Sequence, residues 1–114
     1  MKAKILVVDD EALILTAVER ALAKVGYSIW KARTLKDLSG CLGSAPFDLL
    51  ITDIYMEEAT VENIIELVRA SSPGIRVMKM SGSVNQEPGM HFIEKPFSIE
   101  ALRRRVREIL DEPS

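Results

Sequence analysis

Five side chains spread over most of the chain, Asp9, Asp10, Asp53, Ser81 and Lys95, are of types that handle phosphoryl groups and divalent cations. Each stands at the end of an apolar or β-rich run: Ile5-Leu6-Val7-Val8 before the acidic pair, Leu49-Leu50-Ile51-Thr52 before Asp53, Arg76-Val77-Met78-Lys79-Met80 before Ser81, and His91-Phe92-Ile93 shortly before Lys95. Three carboxylates brought within a few ångströms repel one another by about 4 kcal/mol per adjacent pair at an effective dielectric constant near 20, so they need a counter-charge. A divalent cation supplies it. Carboxylate, carbonyl and water oxygens select Mg²⁺ or Mn²⁺ over Zn²⁺, because no His or Cys is placed to give softer ligands. Lys95 adds a point positive charge and Ser81 a hydroxyl. One carboxylate surrounded by metal, ammonium and hydroxyl is equipped for in-line attack on phosphorus, with the equatorial oxygens held by the other groups.

That chemistry requires the five positions to meet, and the pattern of elements says how. Lys4 to Val8 reads as a strand stopped by Asp9-Asp10-Glu11. A helix carrying Leu13, Ala17, Val18, Ala21, Leu22 and Val25 follows and stops at Gly26. Ser28 to Ala32 is a more polar strand expected near an edge. Thr34 caps a helix with Leu35, Leu38 and Leu42 on its buried side, and Asp37 is placed to return the capping hydrogen bond. The run ending at Asp53 is continuous enough in apolar and β-branched residues to be a central strand covered on both faces. A helix starting near Thr60 buries Val61, Ile64, Ile65, Leu67 and Val68, and Ser71-Ser72-Pro73-Gly74 closes it. After the fourth and fifth strands, Ser98 caps a last helix with Ile99, Leu102, Val106 and Ile109 inward. Alternating strands and helices of these lengths give an α/β fold, a doubly wound five-stranded parallel sheet. Right-handed crossovers favour the order 2-1-3-4-5, which sets the ends of strands one and three side by side and opens a ligand crevice there. Asp9, Asp10 and Asp53 then share it.

The 114 residues make one domain, 1–114, large enough to bury a core without a staple. A net charge of -2 argues against direct nucleic-acid binding. Cys41 is alone and forms no internal disulfide, which fits the cytoplasm. No apolar span reaches membrane length, and the short N-terminal run is no signal peptide. Arg103, Arg104, Arg105 and Arg107 read as a mostly solvated helix face with some pull on an acidic partner. His91 reads as a rim residue, since nothing pairs with it at metal spacing.

Taken together, Ile5-Leu6-Val7-Val8-Asp9-Asp10-Glu11, Asp48-Leu49-Leu50-Ile51-Thr52-Asp53-Ile54-Tyr55-Met56, Ser81-Gly82 and Lys95-Pro96-Phe97 resemble the receiver domain of two-component response regulators, the CheY-like fold. The resemblance covers nearly the whole chain, in four motifs in order. It implies that Asp53 is the phosphoacceptor, taking a phosphoryl group from a sensor histidine kinase, a phosphotransfer protein or a small phosphodonor. It implies Mg²⁺ as cofactor, bound with Asp53 by Asp10 directly, by Asp9 through water and by the Tyr55 backbone carbonyl. Lys95 would pair with the phosphoryl group, and Ser81 would move to hydrogen-bond it while Phe92 turns inward as the switch aromatic. The Lys95–Pro96 bond matches a position commonly cis. Such a domain catalyses its own phosphoryl transfer without being a metabolic enzyme.

Blander readings stand beside these. Asp9 and Asp10 also suit a helix start, where negative charge is favoured; Asp53 suits a turn, Ser81 a strand-end turn, and Phe92 the core. A pseudo-receiver, an interaction module that keeps the fold without the phosphate, is the alternative function. An aspartyl-phosphate phosphatase is a weaker one, because it wants a second acid where Tyr55 stands. Three departures from the family pattern bear on this. Glu57 follows Met56 where a proline is usual, and Val61 takes a glycine's place. Tyr55 is bulky enough to screen attacking water, which implies a long-lived phosphorylated form. Only Gly82 to Gly89 separate strands four and five, too few for a helix of about 11 residues, so the helix expected there is missing or reduced to one turn. Lys79 supports that expectation, being tolerable in its strand if nothing covers it. The chain ends at Asp111-Glu112-Pro113-Ser114, with no output domain expected within it.

Overall fold

The computed structural model describes residues 2–81 and 91–113. Parallel strands β1 (Lys4–Val8), β2 (Ser28–Ala32), β3 (Leu49–Asp53), β4 (Arg76–Ser81) and β5 (His91–Glu94) form one sheet in the order β2-β1-β3-β4-β5. Helices α1 (Ala12–Ala23), α2 (Leu35–Leu42), α3 (Val61–Ser71) and α4 (Ile99–Leu110) connect or follow them. The order matches the sequence expectation, with the more polar Ser28–Ala32 strand at an edge. The expectation of a lost or one-turn helix between β4 and β5 falls on residues 82–90, outside the described residues.

Alternation along the strands divides the core in two. Ile5, Val7, Leu49, Ile51, Met78, Met80 and Ile93 face α1 and α4, where Leu15, Val18, Leu22, Leu102, Val106 and Ile109 complete one cluster. Leu6, Val8, Leu50 and Val77 face α2 and α3, where Leu38, Ile64, Ile65 and Val68 complete the other. All of β3 is buried, as a central strand covered on both faces must be.

The helix ends are set locally. Thr34, Thr60 and Ser98 each accept a hydrogen bond from the amide three residues on, which satisfies one orphan donor per helix. Asp37 does return a bond, but to the Arg33 amide at 3.1 Å rather than to the cap residue itself. Gly26 has φ of +102°, the left-handed conformation that ends the α1 turn and is strained for any side chain.

Several side chains assigned inward by spacing turn outward. Leu13 is 84% exposed, while Leu15, two positions on and on the opposite side of α1, is buried. Ala17 is exposed for the same reason, and Val25 lies past the helix end. Leu67 sits on the flank of the α3 stripe, and Ile99 opens α4 beyond the core layer; both are exposed. Arg103 is not simply solvated, because its Nε donates to the Ala21 carbonyl at 2.8 Å and ties α4 to α1. Lys79 also departs from expectation. It is buried, with its ammonium 5.7 Å from the centre of the Phe92 ring, a face that attracts cations.

These burials make a sharp comparison within one helix. Leu15→Ala is expected to lower unfolding free energy by roughly 2–5 kcal/mol, and Leu13→Ala to change it by no more than about 0.5 kcal/mol. Urea denaturation with an unchanged slope measures both; equal losses would show that the α1 face is assigned wrongly.

Candidate functional site

The C-terminal ends of the strands hold the acids. Asp9 follows the last residue of β1, and its amide donates to the Ala32 carbonyl at 3.1 Å, continuing the pairing with β2 for one more residue. Asp53 is the last residue of β3, in register with Met80, so Ser81 lies one step further along the adjoining strand. Both Asp9 and Ser81 are buried. The carboxylates of Asp9, Asp10 and Asp53 each place an oxygen within 4.8 Å of the others.

Lys95 crosses to them from the end of β5. Its ammonium lies 3.0 Å from Asp9 Oδ2 and 3.4 Å from Asp53 Oδ2, while its amide donates to the Ser81 carbonyl at 2.7 Å. The Lys95–Pro96 peptide bond is cis. All five residues singled out from the sequence therefore lie at the C-terminal ends of the strands.

The two oxygens of Asp53 are held differently. Oδ2 faces Lys95, and Oδ1 accepts the Tyr55 amide at 3.2 Å. Tyr55 also bridges to Thr60, closing the loop between β3 and α3 at its base. Tyr55 is 71% exposed. Phe92 is half-buried and shares a register position with Lys79, one strand away from Thr52. His91 is remote, at the opposite end of β5, with Nε2 3.3 Å from Glu112 Oε2.

Charge in the crevice is unevenly satisfied. Burial raises the pKa of Asp9 above the usual carboxylate value, and the nearby Asp53 charge adds to this. The Glu11 amide at 2.9 Å and Lys95 only partly oppose it. Burial works against the Lys95 ammonium, but the hydrogen bond and charge of Asp9, joined by Asp53, outweigh it and hold the lysine above its ordinary pKa. Three carboxylates against one ammonium leave a formal excess of 3 − 1 = 2 negative charges. An all-oxygen set with that excess fits a hard divalent cation such as Mg²⁺.

Two residues passed over as site members complete the rim. Arg33 Nε donates to the Asp10 carbonyl at 3.3 Å, and Glu58 Oε1 accepts the Leu35 amide at 3.2 Å. With Asp10, Thr34, Met56 and Glu57 they line a cleft of about 220 Å³. Their contacts span 23 residues and have no periodicity; the available signal was their position just after β2 and β3, on the same edge as the acids.

Comparison with known proteins agrees with this geometry. The family model described as response regulator receiver domain matches residues 5–107. The chain belongs to this family. It is 25% identical over 119 residues to the DNA-binding transcriptional regulator NtrC of Rhizobium meliloti, covering 97% of this chain and 25% of that protein. The receiver domain of the hybrid histidine kinase CckA superposes with a TM-score of 0.83 at 30% identity, covering 96% of this chain and 100% of that one. A response regulator of Thermotoga maritima gives 0.83 at 26%, covering 98% and 100%. The chain thus spans the whole of solved receiver domains but about a quarter of the NtrC relative. No helix among the described residues is long and apolar enough to cross a membrane.

The raised Asp9 pKa carries a signed consequence. A carboxyl whose pKa is higher folded than unfolded binds its proton more tightly in the fold, so its ionisation opposes folding at neutral pH. Asp9→Asn, which keeps an acceptor for the Glu11 amide, is expected to stabilise metal-free protein at pH 7, by about 0.5–2 kcal/mol. The gain should shrink as pH falls through the folded Asp9 pKa and vanish below the ordinary aspartate range. Thermal unfolding of both proteins across pH measures it; a destabilised Asp9→Asn at pH 7 would mean that the Lys95 pairing dominates.

Proposed function

We propose that the chain is a working receiver: Asp53 accepts a phosphoryl group from the phosphohistidine of a sensor histidine kinase or phosphotransfer protein, in a Mg²⁺-dependent reaction, and the modified chain changes its protein partners. The observation that carries this is the Asp53 carboxylate held between Lys95 at 3.4 Å and the Tyr55 amide at 3.2 Å, beside Asp9 and Asp10.

The chemistry follows from what these residues do. An Asp53 oxygen attacks phosphorus in line; the P–O bond forms as the P–N bond to imidazole breaks, and imidazole leaves with the electron pair. Lys95, already within reach of Asp53, pairs with the phosphoryl oxygens. Ser81, at the adjoining strand end, donates its hydroxyl to them, and Phe92 moves with that hydroxyl as the switch aromatic. Asp10, Asp53 and the Tyr55 carbonyl, with Asp9 acting through water, would hold Mg²⁺, and the bound ion would supply neutralisation of the charge on the transferring group. The product is the modified chain itself rather than a released metabolite, so the domain is a switch and not a metabolic enzyme. A pseudo-receiver has no need of this set, and its completeness favours the phosphorylatable form. The direct partners are proteins, and the compartment is the cytoplasm, where such kinases present their phosphohistidine.

Incubation with a small acyl-phosphate donor and Mg²⁺, followed by intact mass, is expected to show one added phosphoryl group that disappears without the metal and in Asp53→Asn. No gain with that donor or with a cognate kinase, in folded protein that binds Mg²⁺, would leave the pseudo-receiver standing. Tyr55, two residues after Asp53 and bonded to it through its amide, carries a bulky exposed side chain that would screen the phosphoryl group from water, so Tyr55→Ala should shorten the lifetime of the phosphorylated form severalfold; equal decay rates would remove that role.

A further inference from the structure

The rim suggests how the cation site keeps its shape, an inference that rests on the receiver reading just given. The loop between β3 and α3 leaves Asp53, is held at its base by the Tyr55–Thr60 bridge, and enters α3 through the Thr60 cap. Its tip, residues 56–59, makes one side-chain hydrogen bond to another element among the described residues: Glu58 Oε1 accepts the amide of Leu35 at 3.2 Å. Leu35 is the first residue of α2, and its N–H is one of the donors a helix leaves without an internal partner. A carboxylate there is favoured by both the free donor and the helix dipole.

The turn that Glu58 grips is itself fixed to the acid pair. Arg33, two residues before Leu35, donates through Nε to the Asp10 carbonyl at 3.3 Å and through its amide to Asp37 at 3.1 Å. The path Asp10, Arg33, Leu35, Glu58 therefore joins three successive strand ends on the side of the crevice away from Lys95. It links the backbone of Asp10 on one turn to the facing loop that carries the Tyr55 carbonyl. Both are ligands in the receiver reading, and both lie beyond the β1–β3 pairing, which ends at Val8 and Thr52.

We propose that Glu58 is a positioning residue for the divalent cation. By hydrogen-bonding the α2 N-terminus it holds the Tyr55 carbonyl at a fixed distance from Asp10, so that the cation meets a preformed site and does not have to order the loop. It acts as a hydrogen-bond acceptor at Leu35 and not as a negative charge near the cation. Partners of this kind, one step removed from the ligands, tune metal affinity by orienting them.

The test is a Mg²⁺ titration of the full chain, without any phosphodonor, followed by NMR of backbone amides, together with hydrogen exchange of the Leu35 amide. Glu58→Ala should weaken Mg²⁺ binding about three- to tenfold, at or below the lower range for such partners, and speed Leu35 exchange. Glu58→Gln keeps an acceptor oxygen and should retain most of both. Glu57→Gln, which removes the same charge one residue away, should leave the affinity within about twofold of wild type, against that range. Glu58→Ala binding as wild type, or Glu58→Gln falling as far as Glu58→Ala, would overturn the proposal while leaving the receiver reading intact. A wild-type chain that bound no Mg²⁺ would overturn both.

Discussion

The structure turns on one ammonium group placed between two carboxylates. Lys95 reaches Asp9 and Asp53 from β5, the strand at the far edge from β2. Without it the ends of β1 and β3 would bring like charges together in a part of the fold where Asp9 has no access to water. The sheet order makes this juxtaposition unavoidable, because β1 and β3 are neighbours, β3 ends in Asp53 and Asp9 directly follows β1. What the lysine leaves unbalanced is as informative as what it balances. An edge with two excess negative charges is poorly designed for stability alone, and proteins keep such arrangements where function requires them.

The sequence showed the strands plainly, and the strand-end positions of the five candidate residues with them, for a physical reason. A parallel strand buried on both faces must be apolar to its end, so the first charged or polar residue marks the crevice. Asp9 and Asp53 were visible by that rule, whereas Ser81 and Lys95, preceded by Lys79 and Glu94, were placed only by where the fourth and fifth strand patterns stop. Helix faces were less legible. A spacing of three or four residues admits more than one stripe on a short helix, and Leu13 belongs to a stripe that competes with the one set by Leu15, Val18 and Leu22. Ile99 has the right angular position but stands at the first turn, past the layer it would have packed into. Periodicity gives direction around a helix and says nothing about where along it the core ends.

The contacts of the rim were not legible. Arg33 and Glu58 are ordinary loop charges until the fold brings the turns after β2 and β3 together. Lys79 shows the same limit in the other direction. A lysine in an interior strand suggested an uncovered face, yet it is buried with its ammonium over Phe92. The contact rests on pairing of β4 with β5, a long-range fact that residue type alone does not carry.

One residue connects the site to the edge strand. Lys95 holds the Ser81 carbonyl through its backbone and Asp9 through its side chain, with Asp53 slightly further off. Its ammonium thus has two carboxylate partners at distances that differ by a few tenths of an ångström, and their relative charge decides which is preferred. A phosphoryl group on Asp53, in the proposed function, would replace the carboxylate's single negative charge with roughly 1.5–2, a net gain of about 0.5–1, if it titrates as other phosphoryl groups do. The attraction would then favour Asp53 over Asp9, on a residue whose backbone is bonded to the end of β4. Charge placed at the centre of the sheet would be felt at its edge through a single side chain, without any movement of the core strands between them.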